Sequence, residues 1–286
     1  MRLLQRTPVI DNIRQAVADH DLHRKVELHD AVLSREEADS LVTGYARNRH
    51  RAGYKFKNFW ANRLADWFQH KLEKTTAITG LEKVAGIEGG AIVSCNHFSP
   101  DDNCTIRMLS DRLHRPKLVA VSQATNFAAK GWQGFLLKYI DAIPLTDNPA
   151  YLGGLFEEQL REKLAERRLV LMYSEQEMWF NYRKPRPPKR GLYHFAAKLG
   201  VPVISCFVEI REVPGTVRDE FADVHYVLHV LDPIWADPAK SLKENSLWMA
   251  RRDFEQKQAA YEQAYGRPLT DEFTPHDIAG WHPGRF

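Results

Sequence analysis

The chain has 286 residues, 44% of them hydrophobic and 27% charged, a balance that suits one large folded domain, or a core with a modest extension, and excludes the disordered and fibrous classes. Its 40 basic and 37 acidic side chains leave a formal net charge of +3, too small to argue for nucleic acid as a partner. The thiols Cys95, Cys104 and Cys206 show no Cys-x-x-Cys spacing, which argues against a disulfide framework and a zinc ribbon and fits a reducing, cytosolic compartment.

No run approaches the roughly 18 apolar residues of a spanning helix. The opening residues have neither the apolar stretch nor the small-residue cleavage site of a secretory signal, so any membrane contact is expected to be peripheral. From about residue 10 to residue 74 the apolar positions recur every three or four residues and predict a helical N-terminal region. Within it Phe56, Phe59, Trp60, Leu64, Trp67, Phe68 and Leu72 form an aromatic stripe accompanied by Lys55, Lys57, Arg63, Lys71 and Lys74. Such a stripe either packs on a core or lies in a lipid interface with its cations near anionic headgroups.

After Gly80 the pattern changes. Short β-type runs at residues 91–95, 117–122, 142–145, 169–173, 201–210 and 224–231 alternate with helical segments near 101–112, 128–139, 150–167 and 191–199. Strands alternating with crossover helices predict an α/β fold, a mixed sheet flanked by helices. A last amphipathic helix is expected over 242–265, followed by an irregular tail punctuated by Gly266, Pro268 and Pro275. The expected organisation is a helical region at 1–75 and an α/β core at 76–286.

The strand at 91–95 runs into Asn96-His97-Phe98-Ser99-Pro100-Asp101-Asp102. Ser99 suits a helix N-cap and Pro100 the first helical position, while Asp101 and Asp102 suit the positive end of the helix dipole. Asp102 can then fold back to one ring nitrogen of His97 and leave the other free to take a proton. The same letters also fit a plain capping box of Ser99 and Asp102 beside a loop histidine. No HExxH or Cys/His pattern accompanies His97, Asp101 and Asp102, so no metal is expected, and Walker, Gly-x-Gly-x-x-Gly and Gly-x-Ser-x-Gly signatures are missing.

Asn96-His97-x-Ser99-x-x-Asp102 resembles the NHxSxxD form of the HxxxxD motif of the glycerolipid acyltransferase superfamily, which includes lysophosphatidate acyltransferases. The approach from Gly80-Leu81-Glu82 to Gly90-Ala91-Ile92-Val93-Ser94 resembles the strand, glycine turn and strand that precede that motif. Lys189-Arg190-Gly191 with Gly200-Val201-Pro202-Val203-Ile204 resembles its closing KRG and GVPV stretch. The resemblance covers approximately residues 76 to 210. It implies a glycerol-3-phosphate acyltransferase-like core and transfer of a fatty acyl group from an acyl thioester donor, acyl-CoA or acyl carrier protein, to the hydroxyl of a lipid-type acceptor. His97 would be the base and Asp102 its partner, with Asn96 and Ser99 also lining the substrate site.

Two blocks depart from the pattern. The third, usually FPEGTRS, reads Tyr173-Ser174-Glu175-Gln176-Glu177-Met178-Trp179, which keeps only the glutamate; Glu175 is expected at the same sheet edge as His97, positioning the acceptor. Near the second, usually IPVDR, stands Ile143-Pro144-Leu145-Thr146-Asp147. Both phosphate arginines are thus absent, which weighs against a simple glycerol-phosphate acceptor. Arg183, Lys184, Arg186, Lys189 and Arg190 follow among prolines and are expected to form a positive ridge for donor or acceptor phosphates; a solvated charged loop is the plainer reading. The resemblance further implies lipid metabolism, no cofactor beyond the thioester co-substrate, and a cytoplasmic enzyme touching the inner membrane face through Phe56, Phe59, Trp60, Trp67 and Phe68. A non-catalytic lipid-binding protein on the same fold, and slow thioester hydrolysis, are the alternatives.

Overall fold

The computed structural model describes residues 6–28 and 32–284; the expected helical stretch at residues 29–31 and the last two residues of the expected tail lie outside them. In chain order come α1 (Arg6–Ala18), α2 (Arg35–Asn48), α3 (Ala52–Glu73), β1 (Ala77–Thr79), β2 (Ala91–Ser94), α4 (Asn103–Arg112), β3 (Val119–Gln123), α5 (Ala124–Phe127), α6 (Gly131–Tyr139), β4 (Ala142–Leu145) and α7 (Pro149–Tyr151). A π-helical turn (Leu152–Phe156) carries α7 into α8 (Glu157–Ala165). Then come β5 (Leu169–Leu171), α9 (Gly191–Leu199), β6 (Val203–Glu212), β7 (Val224–Val230) and α10 (Leu242–Tyr265).

The strands form one sheet in the order β1-β7-β6-β2-β5-β3-β4. β6, β2, β5, β3 and β4 run parallel, and β7 turns back antiparallel to β6. Central parallel strands are covered on both faces, and period-2 alternation sorts their side chains. Ile92, Val170 and Val203 face one cluster with Leu160, Tyr193 and Met249; Ala91, Val93, Leu169, Leu171 and Ile204 face the other with Ile106 and Leu109. At Gly90, a Cβ would sit 2.3 Å from the carbonyl oxygen of Leu164, so only glycine lets β2 begin there.

The six expected strands are present with ends shifted by a few residues, and β1 is an additional one. The expected helix at 128–139 is α6 with a start three residues later, at Gly131, whose φ of +75 is incompatible with a continuous α-helix through that position; the short α5 ahead of it is additional. α10 starts on a Ser241/Glu244 capping box and stops at Gly266 in the left-handed conformation.

The helices before β1 are stitched to the rest of the fold. α1 packs with Trp179, Tyr182, Ile278 and Trp281, and the Tyr45 hydroxyl of α2 donates to the carbonyl of Ala142. α3 lies on α4 and α6 with an inverted pattern. Its buried residues are Ala61, Ala65 and Gln69, and polar groups flank them on the inner side: Asn58 donates to the Tyr139 carbonyl (2.8 Å), Gln69 to Asp111 (2.7 Å) and Arg107 to Asp66 (2.9 Å). Phe56, Phe59, Trp60 and Trp67 are each more than half exposed. The reading in which this stripe fills the core is thereby excluded for those four; Phe68 is half-buried and stacks on exposed Trp132.

Candidate active site

β2 delivers the loop 95–102 to the carboxyl edge of the parallel strands, the edge at which sheets of this kind gather their chemistry. Asn96 pins the loop: its Oδ1 accepts the Val208 N–H (2.8 Å) and its Nδ2 donates to the Val208 carbonyl (3.1 Å), adding a side-chain rung to β6. The next residue, His97, then leaves the sheet. Its Nδ1 lies 2.7 Å from Asp102 Oδ2, while no hydrogen bond among the described residues engages Nε2. The imidazole side chain is 20% exposed and the carboxylate only 2%.

Asp102 Oδ2 also accepts the backbone N–H of Phe98 (3.0 Å) and of Ser99 (3.3 Å). The contact with Ser99 is one arm of a capping box, so the structural and chemical readings of this motif coexist on one oxygen. The helix nevertheless begins later than the sequence predicts, at Asn103 with Asp102 as its cap. Ser99 Oγ accepts the Asp101 N–H (3.3 Å) and shapes a turn over 99–102 before the helix.

The third block approaches from β5. The Tyr173 ring stacks on His97 with centroids 3.8 Å apart and planes 11° from parallel, and its hydroxyl donates to Asp102 Oδ1. Burial, and then the Asp102 charge, push the Tyr173 pKa well above its ordinary value, so the phenol stays a donor. Glu175 differs from expectation. It is buried, accepts the His97 N–H at Oε2 (3.3 Å) and the Arg186 N–H at Oε1 (3.0 Å), and pairs with the Arg186 guanidinium at 3.1 Å. It supports the His97 loop and is not presented to an acceptor, because its lone pairs are engaged inside the fold.

Asn96 and Ser99 are buried as well; with both amide groups of Asn96 taken by Val208 and Ser99 built into the turn, neither lines a substrate surface. The expected positive ridge divides. Arg183 is buried against Glu212 (2.8 Å), Lys184 against Asp277 (2.9 Å) and Arg186 against Glu175. A buried cation persists only when paired, so these three brace the fold and are withdrawn from phosphates. Lys189 and Arg190 remain exposed, and no ion pair among the described residues holds either.

A polar cluster that sequence patterns did not single out lies beneath both loops. Ser94, which ends β2, donates to Asp253 Oδ2 (2.7 Å) and lies 3.1 Å from Ser174 Oγ; Lys257 donates to Ser94 Oγ (2.7 Å) and to Asp253 Oδ2 (2.9 Å), and Tyr193 donates to the same oxygen. The i, i+4 spacing of Asp253 and Lys257 on α10 was the available signal. The other members come from distant elements. A cavity of about 490 Å³ lined by Tyr45, Tyr54, Lys57 and Tyr139 lies between α2, α3 and α6 and takes no residue from the His97 loop. Among the described residues, no grouping of His, Cys, Asp and Glu has the makings of a metal site.

Residues 70–209 match the protein family described as Acyltransferase. Among solved structures, the 1-acyl-sn-glycerophosphate (LPA) acyltransferase PlsC from Thermotoga maritima is similar, with 16% identity over 81% of this chain and 90% of that chain and a TM-score of 0.47. No curated protein matches.

Proposed function

We propose that this chain, whose residues 70–209 match the acyltransferase family, moves a fatty acyl group from a thioester donor, acyl-CoA or acyl carrier protein, to a hydroxyl of a lipid-type acceptor, with His97 as general base. The observation that carries the reading is the geometry of the imidazole: Nδ1 lies 2.7 Å from a carboxylate only 2% exposed, and Nε2 has no hydrogen-bond partner among the described residues. Nε2 removes the acceptor's hydroxyl proton as the oxygen attacks the thioester carbonyl. The tetrahedral intermediate expels the thiolate, which takes the proton back from the imidazolium, leaving an ester and a free thiol. Asp102 holds the tautomer and stabilises the imidazolium. The donor arrives already activated, so this sequence calls for no metal or further cofactor.

Lysophosphatidate is the acceptor least favoured. Met178 and Asp147 stand where the family pattern has arginines, and Arg183, Lys184 and Arg186 are engaged in ion pairs within the fold. Bidentate clamping of a phosphate monoester is therefore left without its usual donors. The test is thiol release from acyl-CoA and from acyl carrier protein, each offered with hydroxylated lipids, glycolipids and lysophospholipids. Acceptor-dependent thiol release with a new ester product is expected; lipid binding without thiol release would favour the non-catalytic alternative.

The same reading includes peripheral contact with the cytoplasmic membrane face. No helix among the described residues is long and apolar enough to cross a membrane. α3 turns its alanines and asparagines inward and Phe56, Trp60 and Trp67 outward at helical spacing with Arg63 among them. Water is a poor partner for such a face, and an interfacial layer with anionic headgroups suits it. Changing Phe56, Trp60 and Trp67 together to serine is expected to weaken sedimentation with anionic vesicles by about a hundredfold or more while circular dichroism stays unchanged. Equal sedimentation of both proteins would refute the contact.

A further inference from the structure

We propose that Tyr173 is a positioning residue that sets both the plane of the His97 ring and its strength as a base, acting through Asp102. The inference rests on His97 being the base. Its ground is an uneven sharing of the Asp102 carboxylate. Oδ2 takes the Nδ1 contact from His97 and the N–H groups of Phe98 and Ser99, whereas Oδ1 has Tyr173 as its hydrogen-bond partner among the described residues.

A donor on Oδ1 withdraws negative charge from the carboxylate and so weakens its hold on an imidazolium at Oδ2. Tyr173 thus competes with the imidazole edge for the charge of the Asp102 carboxylate. The ring has a separate role. Stacked at 3.8 Å and 11° from parallel, it holds the imidazole from one face while Asp102 holds it by an edge, which leaves Nε2 a single direction.

The other titratable groups around the pair, Asp101 apart, are fixed in charge or already engaged. Burial pushes the Cys95 thiol well up and the Cys104 thiol to about 12, and Tyr226 likewise to about 12, so all three stay neutral. Glu175 is paired with Arg186, and Lys257, whose charge also reaches Cys95, is paired with Asp253. Asp101, beside Asp102, is pushed up by burial first and by the Asp102 charge next.

The test is the pH dependence of kcat/KM in the full chain, measured by thiol release. Tyr173→Phe keeps the stack and removes the donor; its acid limb is expected to move up by roughly half to one pH unit, with a rate loss of about tenfold or less at neutral pH. Tyr173→Leu removes both and is expected to lose about a hundredfold in kcat with KM little changed. 3-Fluorotyrosine installed at position 173, a stronger donor of nearly the same shape, moves the acid limb down, and it reports even if the other two variants fold poorly. An acid limb that stays in place in the phenylalanine and fluorotyrosine proteins overturns the inference while an inactive His97→Ala protein keeps the base. An active His97→Ala protein overturns the base reading itself.

Discussion

Replacing His97 by alanine is expected to remove acyl transfer, lowering kcat by about a thousandfold or more, while the protein folds as before. Base catalysis by a positioned side chain contributes roughly 10²–10⁴-fold, and no hydrogen bond among the described residues brings a second imidazole or carboxylate to Nε2. The fold should tolerate the change because the side chain is 20% exposed, and Asp102 keeps its contacts with Phe98, Ser99 and Tyr173. Asp102→Asn supplies the companion measurement. An asparagine fits the same space but offers an amide donor or a weaker acceptor, so the ring loses the tautomer that frees Nε2, and a loss of about 10³–10⁴-fold is expected from the analogous change in serine-protease triads. Near-normal thiol release in the folded His97→Ala protein would reject the mechanism.

Lys257→Met is expected to lower the unfolding free energy by about 3–5 kcal/mol, the cost of leaving a buried carboxylate without its cation. Lys257 is 2% exposed and Asp253 fully buried, and a single oxygen of Asp253 gathers Lys257, Ser94 and Tyr193 while its Oδ1 has no partner among the described residues. Against a typical total of about 5–15 kcal/mol, that loss shows as a large fall in the urea midpoint. Asp253→Leu combined with Lys257→Met removes both charges and should recover much of the loss. Burial opposes the Lys257 charge, but Asp253 together with the Glu175 charge more than offsets it, and the pKa lies above the ordinary lysine value. The lysine's own contribution is therefore complete below about pH 10 and fades as the pH rises through the elevated value. Equal midpoints for the wild type and Lys257→Met would show that the pair contributes nothing.

The alternation of strand and helix, the loop that carries His97 and the fold-back of Asp102 were legible in the sequence because each depends on neighbours within a few positions. Ser99, Pro100 and Asp102 carry their turn chemistry locally, and β2 reads as a buried strand from Ala91 to Ser94. The fate of the basic run was not legible. Arg183 and Lys184 meet Glu212 and Asp277, 29 and 93 positions away, and no local pattern distinguishes a cation with a distant partner from one facing water. Tyr173 was hidden for the same reason: its hydroxyl meets Asp102 across 71 positions. The direction of α3 was half legible. Helical spacing identified the aromatic stripe, but only the inward pairing of Asn58, Asp66 and Gln69 decides which side faces out.

The segment around Trp179 to Arg186 is held from two remote parts of the chain. The Trp179 indole donates to the Arg24 carbonyl and Arg186 to that of Leu22, while Arg183 and Lys184 bond to His276, Glu272 and Asp277. Loops closed over such long spans form slowly. The His97 loop, whose His97 and Phe98 carbonyls accept N–H groups from Trp179 and Asn181, should accordingly be among the last parts to settle during folding. In hydrogen exchange, the amides of Trp179 and Asn181 should lose protection before those of β2 and β6, in an opening that silences the enzyme without unfolding it.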